Sequence, residues 1–509
     1  MGALARGVLL MMGAGVSHHV LAAEPLEVGL SGRGSLIGGT VVAGASSSSP
    51  TVMLIGGLQG DDPSSVAVRD AMRAFEGLRR SRRAFRLIAV PVANPDSAPL
   101  QFPPTGVAYR DNPEANALWR WIGLHGPDLV VVAGEDSAGL AAALSEQAVA
   151  EVGRIPARDV ATSTAGRWSD GGLLSSIGVT LPASPAHQEL ERRRARSPRQ
   201  LAEELALYYG HDFDQPWYIN AVALIGQLRL GHLDEVKRLA EPYVDGTKNS
   251  LERPNSLVLA GHIVFTELAR RTGDARYTQL VRRVADLGFE AGQMKESMPF
   301  HEQYSDSVFM GTVIAAQAGA LTAERRYFDM AARHVAFMQR LDLRPDGLYR
   351  HTPATDAAWG RGNAFAALGL ALTLSEFPKD HPQYAQLLQA YRQHMEVLAR
   401  FQDPDGPWRN VIDHPGAYPE YSATAMIGFS MLRGVRAGWL PKGSYQPIVE
   451  RAWQAVLTRT GANGRLVDVC ESTTRMKSLD EYLHRAATLG PDARGGAMAL
   501  LFATEMAGL

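Results

Sequence analysis

A single cysteine, Cys470, stands among 509 residues. One thiol cannot close an intramolecular disulfide or build a cysteine-based zinc cluster, so neither device holds this chain together. Cys470 reads instead as a small buried apolar side chain. Beyond the N-terminus, no apolar run reaches the roughly 18–20 residues that a membrane span requires. Excess charge is also lacking. The formal net charge is −2, which leaves no global field to draw in nucleic acid or an anionic membrane. The basic clusters Arg79-Arg80-Ser81-Arg82-Arg83 and Arg192-Arg193-Arg194-Ala195-Arg196 are short and carry no interleaved aromatics. They read as solvated helix faces or linker. What is present, 46% hydrophobic and 20% charged residues, describes a globular protein long enough for two or three cores.

The first 23 residues have the layout of an export signal: Arg6, the apolar stretch Val8 to Val16, and small residues before Glu24. The expectation is an exported protein, periplasmic or secreted, with an uncleaved strand or helix as the alternative. From 24 to 155, short apolar runs alternate with helical spacing. Pro50 to Gly57, Phe85 to Pro91 and Asp128 to Gly134 read as buried strands, and Ala67 to Arg80 and Glu114 to Leu124 as helices. That alternation predicts a mostly parallel α/β sheet, whose ligands would sit at the carboxyl ends of the strands.

At the first such end, Gly57-Leu58-Gln59-Gly60-Asp61-Asp62 resembles the Gly-Gly-x-His-Gly-x-Glu of zinc carboxypeptidases. The Asn94-Pro95-Asp96 turn and Trp119-Arg120-Trp121-Ile122 follow in that family's order. The donor set does not follow. Gln59 and Asp62 stand where the resemblance implies histidine and glutamate, and Gly134 where it implies the last histidine. A catalytic zinc takes three nitrogen, sulfur or carboxylate ligands, so the resemblance implies a carboxypeptidase-like fold with its metal ligands lost. No metal and no cofactor are expected.

Residues 156–198 mix prolines, serines, Gly171-Gly172 and the second arginine cluster without a sustained period, which reads as a linker. Leu174 to Leu181 is a possible edge strand. From 199 to 509 helical periodicity dominates, with about a dozen segments between 199–209 and 492–507. Stop signals such as Arg344-Pro345-Asp346-Gly347 and Asp403-Pro404-Asp405-Gly406 separate them. Twelve helices suit six hairpins closed in a ring, an (α/α)6 barrel, with polar and aromatic residues gathered in the loops.

Five motifs lie in order along this half. They are Ser305-Asp306-Ser307-Val308-Phe309-Met310, Asp346-Gly347-Leu348-Tyr349-Arg350-His351, Trp359-Gly360-Arg361-Gly362-Asn363-Ala364-Phe365, Glu420-Tyr421-Ser422-Ala423-Thr424-Ala425-Met426, and Cys470-Glu471-Ser472-Thr473. Together they resemble the unsaturated glucuronyl and rhamnogalacturonyl hydrolases, glycoside hydrolase families 88 and 105. That resemblance implies release of a 4,5-unsaturated uronic acid from the non-reducing end of lyase-generated acidic oligosaccharides, by hydration of the C4=C5 bond.

Asp306 matches the family's catalytic aspartate and takes both general acid and general base roles; read alone, it would be a helix N-cap. His351 is expected to hydrogen-bond the sugar or the attacking water. Arg361 is expected to pair with the uronate carboxylate. Trp359, Trp408 and Trp217 are candidate stacking platforms, and Asn363 and Phe365 complete the motif. Glu420 reads as structural. Two departures stand out. Asn255 or Ser256 occupies the place of the family's second aspartate, and Phe365 that of a tryptophan. A glycosidase of saturated uronides and a non-catalytic glycan-binding protein are the rival readings. The sequence leaves the oligomeric state open.

Overall fold

The structure is a computed structural model that describes residues 23–134, 138–162, 174, 177 and 181–509. The export signal, apart from Ala23, Gly171-Gly172 and most of the possible edge strand Leu174 to Leu181 lie outside the described residues.

The N-terminal unit is a six-stranded mixed sheet in the order β1 (Glu24–Leu30), β2 (Leu36–Val42), β4 (Arg86–Val90), β3 (Thr51–Ile55), β5 (Leu129–Ala133), β6 (Ala157–Val160). Strands β3 (Thr51–Ile55), β4 (Arg86–Val90) and β5 (Leu129–Ala133) are the three apolar runs. They pair in parallel, and helices pack on both sides, as continuous apolar strands require. Helix α1 (Pro63–Glu76) has Pro63 at its start and is capped by Asp62. Helix α2 (Pro113–His125) ends at Gly126, whose φ of 51° suits a left-handed C-cap.

Three strands add to the sequence reading. β1 (Glu24–Leu30) and β2 (Leu36–Val42) form an antiparallel hairpin that joins β4. β6 (Ala157–Val160) extends the parallel set beside β5, inside the stretch read as linker. The rest of that linker, where described, holds a proline-initiated helix, Pro185–Arg194, capped by Ser184. A second, Pro198–Ala206, capped by Ser197, starts at the linker's last residue and matches the helical segment read from 199. Both prolines sit at helix starts, where a missing N–H costs nothing. Composition alone had cast the stretch up to Pro198 as a linker.

The C-terminal unit holds twelve helices among the described residues, two of them broken at His262 and Gly311. Six are inner: 218–230, 256–272, 307–322, 360–376, 421–436 and 493–506. Each packs on the next, and the last packs on the first, so the ring closes. Inner helices are buried nearly all round, whereas outer ones such as Leu233–Val244, Ala275–Ala285 and Arg325–Asp342 keep one apolar stripe.

The two units share a core. Leu30, Tyr109 and Ala117 from the sheet side pack with Trp359, Tyr418, Cys470 and Tyr482 from the barrel. Arg120 pairs with buried Asp468 at 2.5 Å, Tyr109 donates to the same carboxylate at 3.0 Å, and its ring stacks on Tyr418 at 4.3 Å. Arg193 bridges Glu151 and Thr458 through their carbonyls.

Candidate active site

Asp306 opens the short helix Ser307–Met310 at the mouth of the barrel. Its backbone is helical, with φ −52° and ψ −28°, and its side chain makes no cap hydrogen bond. The simple helix-cap reading therefore fails. The residue is buried and Oδ1 has no partner. Burial pushes the carboxyl up to about 7, against the opposing pull of Arg361, Arg485 and Arg494.

His351 Nε2 lies 3.9 Å from Asp306 Oδ1 and is likewise buried without a partner. Its Nδ1 meets the Tyr482 hydroxyl at 2.6 Å, which sets the ring's orientation. Burial holds the imidazole well below its usual range, and Arg485, Arg361 and Arg475 add to that. The ring is neutral at pH 7, sandwiched between Tyr304 at 4.9 Å and Trp359 at 4.4 Å. Two neighbouring groups without partners, one a protonatable carboxyl and the other a neutral imidazole, form a site for receiving polar atoms and moving a proton.

A cavity of about 250 Å³ opens onto Asp306. Asn255, Tyr218, Tyr304, Glu302 and Thr473 are among its lining. Asn255 also caps the helix Ser256–Gly261, accepting Val258 N–H at 3.0 Å. The approach of helix Gly360–Glu376 to this site depends on Gly362, where a Cβ would fall 2.5 Å from Ser305 Oγ.

Other expected contacts are occupied by the fold. Arg361 is fully buried. Its Nε donates to Ser422 Oγ at 3.0 Å and Nη1 to Ser472 O at 3.2 Å, while Nη2 bonds Cys470 O and lies 3.5 Å from Glu420. Glu420 in turn caps the helix Tyr421–Arg436. A guanidinium with this many partners has no fork left for a uronate.

Asn363 is spent on Tyr349 N–H, Tyr349 O and Trp359 O, which hold the turn that leads to His351. Trp359 lies beneath His351 and donates to Asn410 at 3.2 Å. Trp408 donates to Leu398 O at 2.7 Å from within the core. Phe365 packs on Phe309 and Tyr218. Trp217 is 39% exposed and does not line the cavity. Motif spacing names these residues but cannot say which way each side chain faces on a helix buried all round.

Three arginines escaped the sequence reading. Arg475 lies over the Tyr304 ring at 5.6 Å, Arg485 over Trp359 at 4.8 Å, and Arg494 bonds the Tyr218 hydroxyl at 3.1 Å. Nη1 of Arg485 is buried without a partner. Arg475 lies two residues past the motif Cys470-Glu471-Ser472-Thr473, the one signal that pointed to this loop.

A family model for Glycosyl Hydrolase Family 88 matches residues 231–509. The chain belongs to that family. It is 27% identical over 222 residues to an unsaturated 3S-rhamnoglycuronyl hydrolase of Alteromonas sp. (strain LOR), covering 40% of this chain and 50% of that protein. It is 26% identical over 273 residues to an unsaturated rhamnogalacturonyl hydrolase of Bacillus subtilis (strain 168), covering 49% and 76%. The chain thus spans half the length of the first of these relatives. A family 105 glycoside hydrolase of C. acetobutylicum ATCC 824 superposes with a TM-score of 0.53 at 20% identity, over 61% of this chain and 99% of that one. A family 88 glycosyl hydrolase from Bacteroides vulgatus gives 0.51 at 17%, over 61% and 99%. These superpositions show the fold of the helical half.

Proposed function

We propose that this protein releases 4,5-unsaturated uronic acids from the non-reducing ends of lyase-cut oligosaccharides by hydrating the C4=C5 bond. The observation that carries this is the buried, uncapped Asp306 carboxyl, which lines a sugar-sized cavity and keeps Oδ1 unpartnered, with a neutral His351 3.9 Å behind it. The protonated carboxyl gives its proton to C4. Its conjugate base then takes a proton from the water that adds to C5, so Asp306 ends the cycle protonated. The C5 hemiketal opens to a ketone as the bond from C5 to the ring oxygen breaks, the former ring oxygen stays on C1 in a hemiacetal, and that hemiacetal collapses to a C1 aldehyde as the leaving sugar departs as an alcohol. His351 holds the sugar or the water, and the Arg475, Arg485 and Arg494 cluster supplies the positive field for the uronate. The step has no place for a metal.

Export fits a role on polysaccharide outside the cytoplasm. The N-terminal sheet fits the carboxypeptidase resemblance, with Asp62 turned from metal chemistry to capping α1.

A second reading has one observation in its favour. Glu302 places another carboxylate on the cavity wall, as hydrolysis of a saturated uronide would need. Wild-type protein is tested with an unsaturated uronyl disaccharide and an intact glucuronide. Loss of the conjugated-enol absorbance with the first, and no release from the second, is expected; turnover of the intact glucuronide alone selects the second reading.

A further inference from the structure

A second and much larger cavity, about 1040 Å³, lies between the two units. Its walls come from the sheet side (Gly32, Asp96 to Leu100, Arg110 to Glu114) and from the barrel's 471–486 segment. This segment also walls the small cavity. Thr473 lines the Asp306 cavity, and its neighbour Ser472 lines the cleft. Adjacent residues are about 3.8 Å apart, so the partition is one chain thick. The cleft is also a built surface. Arg485 lines it, is 3% exposed, and is held by Glu471 O at 3.0 Å and Thr474 O at 2.9 Å, with Nη1 left unpartnered. The opposite wall is pinned by Asp96, which accepts Arg33 N–H at 2.8 Å, and by Glu114, which accepts Gly32 N–H at 2.9 Å.

We propose that this cleft holds the leaving portion of the oligosaccharide, and that it favours leaving sugars that present hydroxyls over those that carry sulfate. The proposal rests on the small cavity being the uronide site. A terminal ring placed against Asp306 can send its aglycone over the partition, and the cleft is the space beyond it. Charge sets the preference. Six carboxylates line the cleft against three arginines; Arg110 is paired with Asp111 at 3.2 Å, and Arg485 is largely spent. Carboxylates accept hydrogen bonds from sugar hydroxyls and repel a sulfate. Pro99, Leu100 and Met476 offer apolar surface for the C–H face of a ring.

The test uses three unsaturated uronyl substrates: a methyl glycoside, a trisaccharide with a neutral leaving disaccharide, and the same trisaccharide sulfated on the leaving sugar. For wild type, kcat/KM is expected to favour the neutral trisaccharide over the sulfated one about tenfold, through KM. Glu471→Gln with Asp480→Asn removes two exposed rim charges and is expected to narrow that ratio about threefold. On the sheet side, Leu100→Ser is expected to raise the KM of the neutral trisaccharide about threefold relative to the methyl glycoside. Equal or better use of the sulfated substrate by wild type, or ratios that neither variant moves, overturns the proposal.

Calorimetric titration with the neutral disaccharide separates the two readings. Binding that the variants weaken, in a protein that turns over no unsaturated uronide, sinks the uronide site and keeps the cleft. Turnover without such binding sinks the cleft alone.

Discussion

Asp62 and Asp306 each precede a helix, one in the sheet unit and one in the barrel. Asp62 has extended backbone, φ −108° and ψ −178°, so its side chain folds back to accept Ser64 N–H at 2.7 Å, Ser64 Oγ–H at 2.5 Å and Ser65 N–H at 3.4 Å. Asp306 already has helical backbone and cannot reach the N–H groups that follow it. Its carboxyl is left in a buried space with an unpartnered oxygen. The same residue type before the same element is thus a fold device in one place and, in the other, an uncapped carboxyl that the proposed reaction uses as its proton carrier. Backbone dihedral and burial decide which.

The largest stability effect expected outside Asp306 falls on the barrel's buried pair. Arg361→Ala leaves Glu420 unpaired in the core and should cost about 3–5 kcal/mol, read by denaturant or thermal unfolding. Loss of turnover in that variant should track loss of fold, in keeping with a guanidinium that has no arm free for substrate.

Asp342 is next. It is buried with both oxygens unpartnered, and burial raises it to about 8, with Asp306 adding to the rise and Arg350 opposing it. Between about pH 4 and 8 the native state therefore holds a proton that the unfolded chain has released, and stability falls as pH rises through that window. Asp342→Asn should remove this slope and stabilise the protein by on the order of 1–3 kcal/mol at pH 9 relative to pH 4. An unchanged slope in paired unfolding curves would contradict the placement.

Asp62→Ala sharpens the contrast with Asp306. It should cost about 1 kcal/mol through the lost cap and leave the turnover of an unsaturated uronide as it was. Smallest is Trp217→Ala, whose side chain stands outside the cavity; kcat/KM should stay within about twofold, as for a surface substitution of up to about 0.5 kcal/mol. A larger drop would bring Trp217 into the substrate's path.

The apolar strands and the helix count were legible because period and length report burial directly. The β1–β2 hairpin was not. Gly29, Gly38 and Gly39 break its alternation, and Gly39 is small because a Cβ there would sit 3.0 Å from Ala89 O. In the site, Asp306, His351 and Asn255 were legible by motif and do meet. Arg361, Asn363, Trp359 and Phe365 carry motif identity too, but their partners Ser422, Tyr349, Asn410 and Phe309 lie 14 to 61 residues away, and Trp408 turns back to Leu398. Besides Arg361, the cationic field comes from Arg475, Arg485 and Arg494, more than a hundred residues past Asp306, where only the motif Cys470-Glu471-Ser472-Thr473 marks the loop.

The most direct measurement follows enol absorbance and new reducing ends together, for wild type and Asp306→Asn, on one unsaturated disaccharide. Wild type should lose one chromophore per reducing end formed, and the folded Asn variant should be slower by about 10²- to 10⁴-fold. Comparable rates in the two proteins, or reducing ends formed while the chromophore persists, would contradict hydration through Asp306.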